Sequence, residues 1–325
     1  MRLQVALPLI LSVSTMLHAH LIVANKGEST VGIIDTESGK QLATVPEGGI
    51  TGHELTVSAD GKLAYVPMYG DAGVGKPGSD GRNMIVVDIE SRKVVGNVDF
   101  GKGVRPHHPV FGPKNGMLYV TTELDQTISI IDPKTLKITG TIPTGQPESH
   151  MLAISNDGKR GYTANVGPGT VSVLDMEARK VITTIPISTN TQRISVSADD
   201  KMVFTADQTK PELVVIDTAT NKVRTRVALP ASGYGTAATR DGKWLVVAVP
   251  KANKVAVVDL MTMRVAHTVD VPGTPQFVLL RPDGREAFVS CDKSGKVAVI
   301  NVSDWKVKKL IDAGKEVDGL AWSGL

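Results

Sequence analysis

The sequence is poor in cysteine, in aromatic residues, in blocks of one charge and in long apolar runs, and each shortage removes a class of protein. Cys291 is the single cysteine, so no internal disulfide can form; an oxidising compartment is permitted but not used. Lys and Arg number 36 against 33 Asp and Glu, and no Lys/Arg-rich block concentrates them into a basic face. Nucleic acid is therefore not the expected partner. No Ser-His-Asp order with a nucleophile elbow, no Cys-x-x-Cys-His attachment site and no dinucleotide fingerprint occurs, leaving no haem, flavin or nicotinamide signature. The one long apolar run follows Arg2 and ends near Ala19. It has the layout of a secretory signal peptide over 1–19, although Leu17 is large for the position three before the cut, and a retained anchor is the alternative. The expectation is an exported chain, periplasmic or secreted, with one domain over 20–325, no transmembrane span after processing, and a monomer.

What the sequence does have is repetition. Asp60, Asn115, Asp157, Asp199, Asp241 and Asp283 mark one recurring turn, five of them followed by Gly, and from Asn115 onward they stand 42 residues apart. A second ruler marks the end of a Val/Ile strand at Asp35, Asp88, Asp132, Asp175, Asp217, Asp259 and Asn301. Strand-only repeats of this size define an all-β, seven-bladed β-propeller with four-stranded antiparallel blades. The first copy, from Leu21, lacks its first strand, and GLAWSGL from Gly319 is a first strand with nothing after it. The C-terminal strand is therefore expected to complete the N-terminal blade and close the ring. Aromatic content of 4% argues against propellers that spend a Trp in every blade. The segments YVPM (Tyr65 to Met68), YVTT (Tyr119 to Thr122) and YTAN (Tyr162 to Asn165), each preceded by a turn such as SADGK and followed by a V-x-V-I-D strand, resemble the Tyr-Val-Thr-Asn repeat of YncE-like propellers. That resemblance implies the fold; its members span surface-layer proteins, DNA-binding periplasmic proteins and relatives of redox enzymes, so it implies no single activity.

Function is sought where the blades differ. Seven residues before each turn the chain places His53, His108, His150, Gln192, Tyr234 and Gln276, with Asp318 from the closing strand. This column is expected at the mouth of the central channel. Three adjacent histidines there predict a divalent transition-metal or small-ligand site at His53, His108 and His150, with ordinary channel polarity as the plainer alternative. Gln192, Asn165, Tyr234, Gln276 and Asp318 are candidate ligand-binding residues. Glu54 and His107, each one residue out of step, are expected to face away. Blade two carries an insertion over 69–82, YGDAGVGKPGSDGR, whose five glycines suggest a mobile lid or docking loop for a small molecule or partner protein. Its GVGKPG string is not a phosphate cradle, because no helix follows and Pro77 interrupts it. Tyr69 and Glu123 are the candidate catalytic groups if the site is enzymatic, as a metal-dependent hydrolase or lyase acting on a polar metabolite. The first expectation is a binding protein; a YncE-like DNA-binding role is the further alternative, weakened by the missing basic face.

Overall fold

A computed structural model of the chain describes residues 19–324; most of the segment read as a signal peptide lies outside the described residues. The alternating Val/Ile segments form strands that hydrogen-bond into seven sheets of four antiparallel strands each. Blade two, for example, runs Thr56–Val57, Leu63–Met68, Asn83–Asp88 and Lys93–Asp99 from channel to rim. The last strand, Val317–Ser323, lies beside His20–Asn25, pairing His20 with Ser323 and Ile22 with Ala321, so one blade is stitched from both ends of the chain. Among the described residues no helix is long and apolar enough to cross a membrane.

Burial explains the sequence pattern. The second and third strands of a blade, such as LAYVPM and NMIVVD, are buried along nearly their whole length because blades stack against neighbours on both faces. Their runs are accordingly continuous rather than alternating. The outermost strands, such as KVRTRVA, alternate until a final buried Val. Apolar clusters fill the wedges between blades; one of them joins Ile22, Ile33, Leu55, Val66 and Val87 across the two blades nearest the closure.

The repeated polar residues do the work expected of them. Asp60, Asp157, Asp199 and Asp241 accept a hydroxyl hydrogen bond from Ser58, Ser155, Ser197 and Thr239 at 2.6 to 2.7 Å. Asp35 and Asp88 each accept the backbone N–H three residues on, at 2.7 Å, as turn-capping aspartates do. One feature breaks the period of two. In the innermost strands of blades three to five, pairing slips by one residue, for instance from Pro106 opposite Thr122 to Pro109 opposite Val120, and from Ser149 opposite Asn165 to Met151 opposite Ala164. These are β-bulges, which re-aim side chains, and they lie at His107, His108, His150 and Arg193.

Candidate functional site

The bulges decide which histidines meet. His107 stacks on His150 with ring centroids 3.6 Å apart and approaches His53 edge-on at 5.7 Å. Tyr69, the first residue of the insertion, touches all three, at 5.0 Å from His53, 5.1 Å from His107 and 5.7 Å from His150. His108 is not in this group. Its Nδ1 accepts the N–H of Leu152 at 3.2 Å, and its side chain lines the opposite end of the channel. The structure thus brings together His53, His107 and His150, where the sequence led to His53, His108 and His150; the blade-three strand carries its bulge between Pro106 and Pro109, at these two neighbours. No group of three or more His, Cys, Asp or Glu side chains among the described residues is arranged to hold a metal ion.

Glu123 organises the cluster. It accepts from Tyr69 Oη at 2.6 Å through Oε2, and the same oxygen lies 3.3 Å from His150 Nδ1. Oε1 takes the N–H of Gly75 at 3.4 Å and faces Arg105 at 3.5 Å. Burial alone would raise this carboxyl, but His150, Tyr69 and the Gly75 N–H outweigh it and hold it below the usual range. An ionised carboxylate only accepts, so His150 carries its proton on Nδ1; His107 Nδ1, 3.2 Å from the carbonyl of His150, does the same. Both imidazoles are left with an unprotonated Nε2. Burial keeps them neutral, lowers His53 to about 4, and raises the Tyr69 hydroxyl so that it stays a donor.

The insertion is pinned rather than loose. Arg105, 5% exposed, donates to Asp80 at 2.7 Å and to the carbonyl of Lys76 at 2.8 Å. Asp71 closes the loop on itself through the N–H of Ser79 at 2.7 Å. Gly81 is required where the loop rejoins its blade, since a Cβ there would sit 1.6 Å from the carbonyl oxygen of Met68. Outside the loop a groove of about 410 Å³, lined by Lys76, Arg105, Gln126 and Glu148 among others, reaches Glu123.

Beneath the imidazoles lies a layer not anticipated from the column. Arg193, from the blade-five bulge, is buried between Glu54 and Asp318, bonding the first and lying 3.1 Å from the second. The Tyr234 ring faces its guanidinium at 4.6 Å and Phe277 at 5.8 Å. Glu54 therefore faces into the channel, not away from it, and burial pushes its carboxyl up to about 8 against the pull of Arg193. Gln276 donates to Asp292 at 3.2 Å, and Gln192 is half-buried beside Arg193. Asn165 is fully buried and spent on its own blade, bonding Ser149, Thr163, Thr170 and Ser172, so it is a tie between strands rather than a ligand group. The presence of Arg in this layer was legible only as the residue after Gln192; nothing short of the bulge says which of the two enters the channel.

Seven four-stranded sheets closed by their terminal strands define a seven-bladed β-propeller, and the comparisons agree. A family model described as a lactonase, 7-bladed beta-propeller, matches residues 85–236, and one described as a YNCE-like beta-propeller matches residues 227–323. The resemblance to YncE-like propellers read from the strand motifs is thus shown. No curated protein matches the chain. Among solved structures it is similar to a Kuenenia stuttgartiensis hydrazine synthase chain, with a TM-score of 0.73 and 20% identity, covering 87% of this chain and 92% of that one. It is also similar to dihydro-heme d1 dehydrogenase NirN in complex with DHE, with a TM-score of 0.66, 15% identity, and 93% and 74% covered. At these identities the likeness is one of fold.

Proposed function

We propose that this chain is an exported binding propeller whose ligand, a small polar molecule, is held at the channel mouth by His107, His150 and Glu123 beneath the 69–82 insertion. The observation that carries the reading is the pair of fixed tautomers: His150 donates to Glu123 and His107 to a carbonyl, leaving a neutral Nε2 acceptor on each of two stacked rings. A ligand offering hydroxyl or amine donors complements them, and Arg105 and Lys76 supply donors from the groove side. The leader-like N-terminal segment supports export, with the mature chain acting in a periplasm or outside the cell. A divalent metal at the same imidazoles would need the stacked rings of His107 and His150 to part.

The Glu123–His150 pair also supports an enzymatic reading. A carboxylate behind a histidine leaves Nε2 able to take a proton from water or substrate, with Tyr69 beside it as a donor, which is the equipment of hydrolysis or elimination. The match of 85–236 to a lactonase propeller model favours hydrolysis within this alternative. DNA binding has no comparable support.

The test uses untagged protein from its exported compartment, as wild type, Glu123→Gln, and a variant with His53, His107 and His150 all changed to Ala. Native mass spectrometry and thermal shift against a panel of polyols, amino alcohols and lactones are expected to reveal binding that is lost in Glu123→Gln while the β-sheet spectrum is kept. About one equivalent of bound metal, lost in the triple variant, would instead establish the metal site. Equal responses from all three proteins would dismiss the mouth as the binding centre.

A further inference from the structure

The channel has a second mouth, on the face opposite the insertion, and its chemistry differs from the first. The lower ends of the innermost strands enclose a funnel of about 510 Å³, walled by aliphatic and aromatic side chains that include Leu152, Ile194, Val278, Leu280 and Trp322. No Asp or Glu among the described residues lines it, and the charged residue at its wall is Arg240, which is exposed. Its inner end meets a chamber of about 60 Å³ bounded by His108, Met151, Arg193, Thr236 and Phe277.

The polar groups at that inner end are donors. His108 Nδ1 accepts the N–H of Leu152, so the proton of this neutral imidazole is on Nε2. Arg193 borders the same chamber, and its Nε, buried, has no hydrogen-bond partner among the described residues. Thr236 is already engaged with Ser195 at 2.7 Å. A buried donor without an acceptor costs free energy until something supplies one. An apolar funnel ending in donors, one of them the unpaired Arg193 Nε, and carrying a cationic rim is complementary to one kind of molecule.

We propose that this funnel is a second binding site, separate from the histidine cluster, for a medium-chain alkyl carboxylate: the chain lies against the aliphatic wall and the carboxylate accepts from His108 and the Arg193 end of the chamber. The volume suits a ligand of this size. Arg240 steers the anion to the mouth, and Glu54 and Asp318, the carboxylates that hold Arg193, line neither the funnel nor the chamber.

The probes are octanoate, 1-octanol and octylammonium, titrated calorimetrically and by Trp322 fluorescence into wild type, His108→Gln and Arg240→Glu. Octanoate is expected to bind at one site, with octanol weaker and octylammonium absent; His108→Gln weakens octanoate about tenfold, and Arg240→Glu weakens octanoate while admitting octylammonium. Thermal melts confirm that both variants fold, Arg240 being an exposed position. The proposal is overturned if octanoate does not bind, if the three probes bind alike, or if both variants bind octanoate as wild type does. None of these results depends on the Glu123 site, whose own variants are silent toward octanoate.

Discussion

His108 shows how much a single hydrogen bond settles at the scale of the residue. Accepting the Leu152 N–H requires the imidazole to be neutral, and burial lowers its pKa to about 3. A base with a depressed folded pKa contributes stability that is present above its ordinary value near 6.5 and lost as pH falls through that value toward the folded one. Glu47 and Glu54 act in the opposite sense: burial raises them to about 7 and about 8, so they weaken the fold as pH rises from the ordinary carboxyl range through those values. Whole-protein melts therefore mix the two signs, and single variants separate them. The unfolding midpoint of wild type relative to His108→Gln is expected to fall between pH 6.5 and about 4, while Glu47→Gln gains on wild type between about 4.5 and 7; parallel curves for either pair would contradict the assignment. The residue scale is also where reading the chain alone fell short. The strict alternation of a strand put His108 and not His107 in the mouth, and turned Glu54 away from it. Bulges invert that order, and no residue in Pro-His-His-Pro announces one.

At the scale of the element, the insertion is the part of the chain whose behaviour is least like its composition. Five glycines suggest mobility, yet the loop is held by Arg105, a residue outside it, through Asp80 and the carbonyl of Lys76. Arg105 also faces the buried Glu123, and leaving a buried charge uncompensated costs about 3 kcal/mol. Arg105→Ala is accordingly expected to lower stability by about that amount and to speed amide exchange at Gly75 and Ser79, whereas Arg105→Lys restores only part of the protection because a point charge cannot reproduce the fork. Unchanged exchange in Arg105→Ala would mean that the loop holds itself. The strand and turn elements, by contrast, were readable: Asp-Gly pairs and strand-ending aspartates form local hydrogen bonds within a few residues, so their sequence contains their structure.

For the whole molecule, closure is the controlling event. Gly319 in the terminal strand donates to the carbonyl of His53 at 2.8 Å, and a Cβ there would lie 2.7 Å from Glu54 Cα. Gly319→Val is expected to destabilise by about 2 kcal/mol through overpacking against backbone, and to loosen exchange in both the first and last strands of the chain together. Gly273→Ala, where a Cβ has ordinary room, is the control. A midpoint unchanged in Gly319→Val would show that the closing strand is not tightly packed against blade two.

Length, the 42-residue ruler and the orphan strands at either end determined the propeller, its seven blades and its closure: within a blade the paired strands are near neighbours in sequence, and the seam between the two ends of the chain was legible because each end carries a strand that the other lacks. Tertiary structure alone decided that Arg193 bridges Glu54 and Asp318, that Tyr69 and Arg105 reach Glu123, and that His107 rather than His108 meets His53 and His150, because the first join blades far apart in the chain, the second depend on how the loops at the mouth fold back, and the last turns on a one-residue bulge that periodicity does not encode.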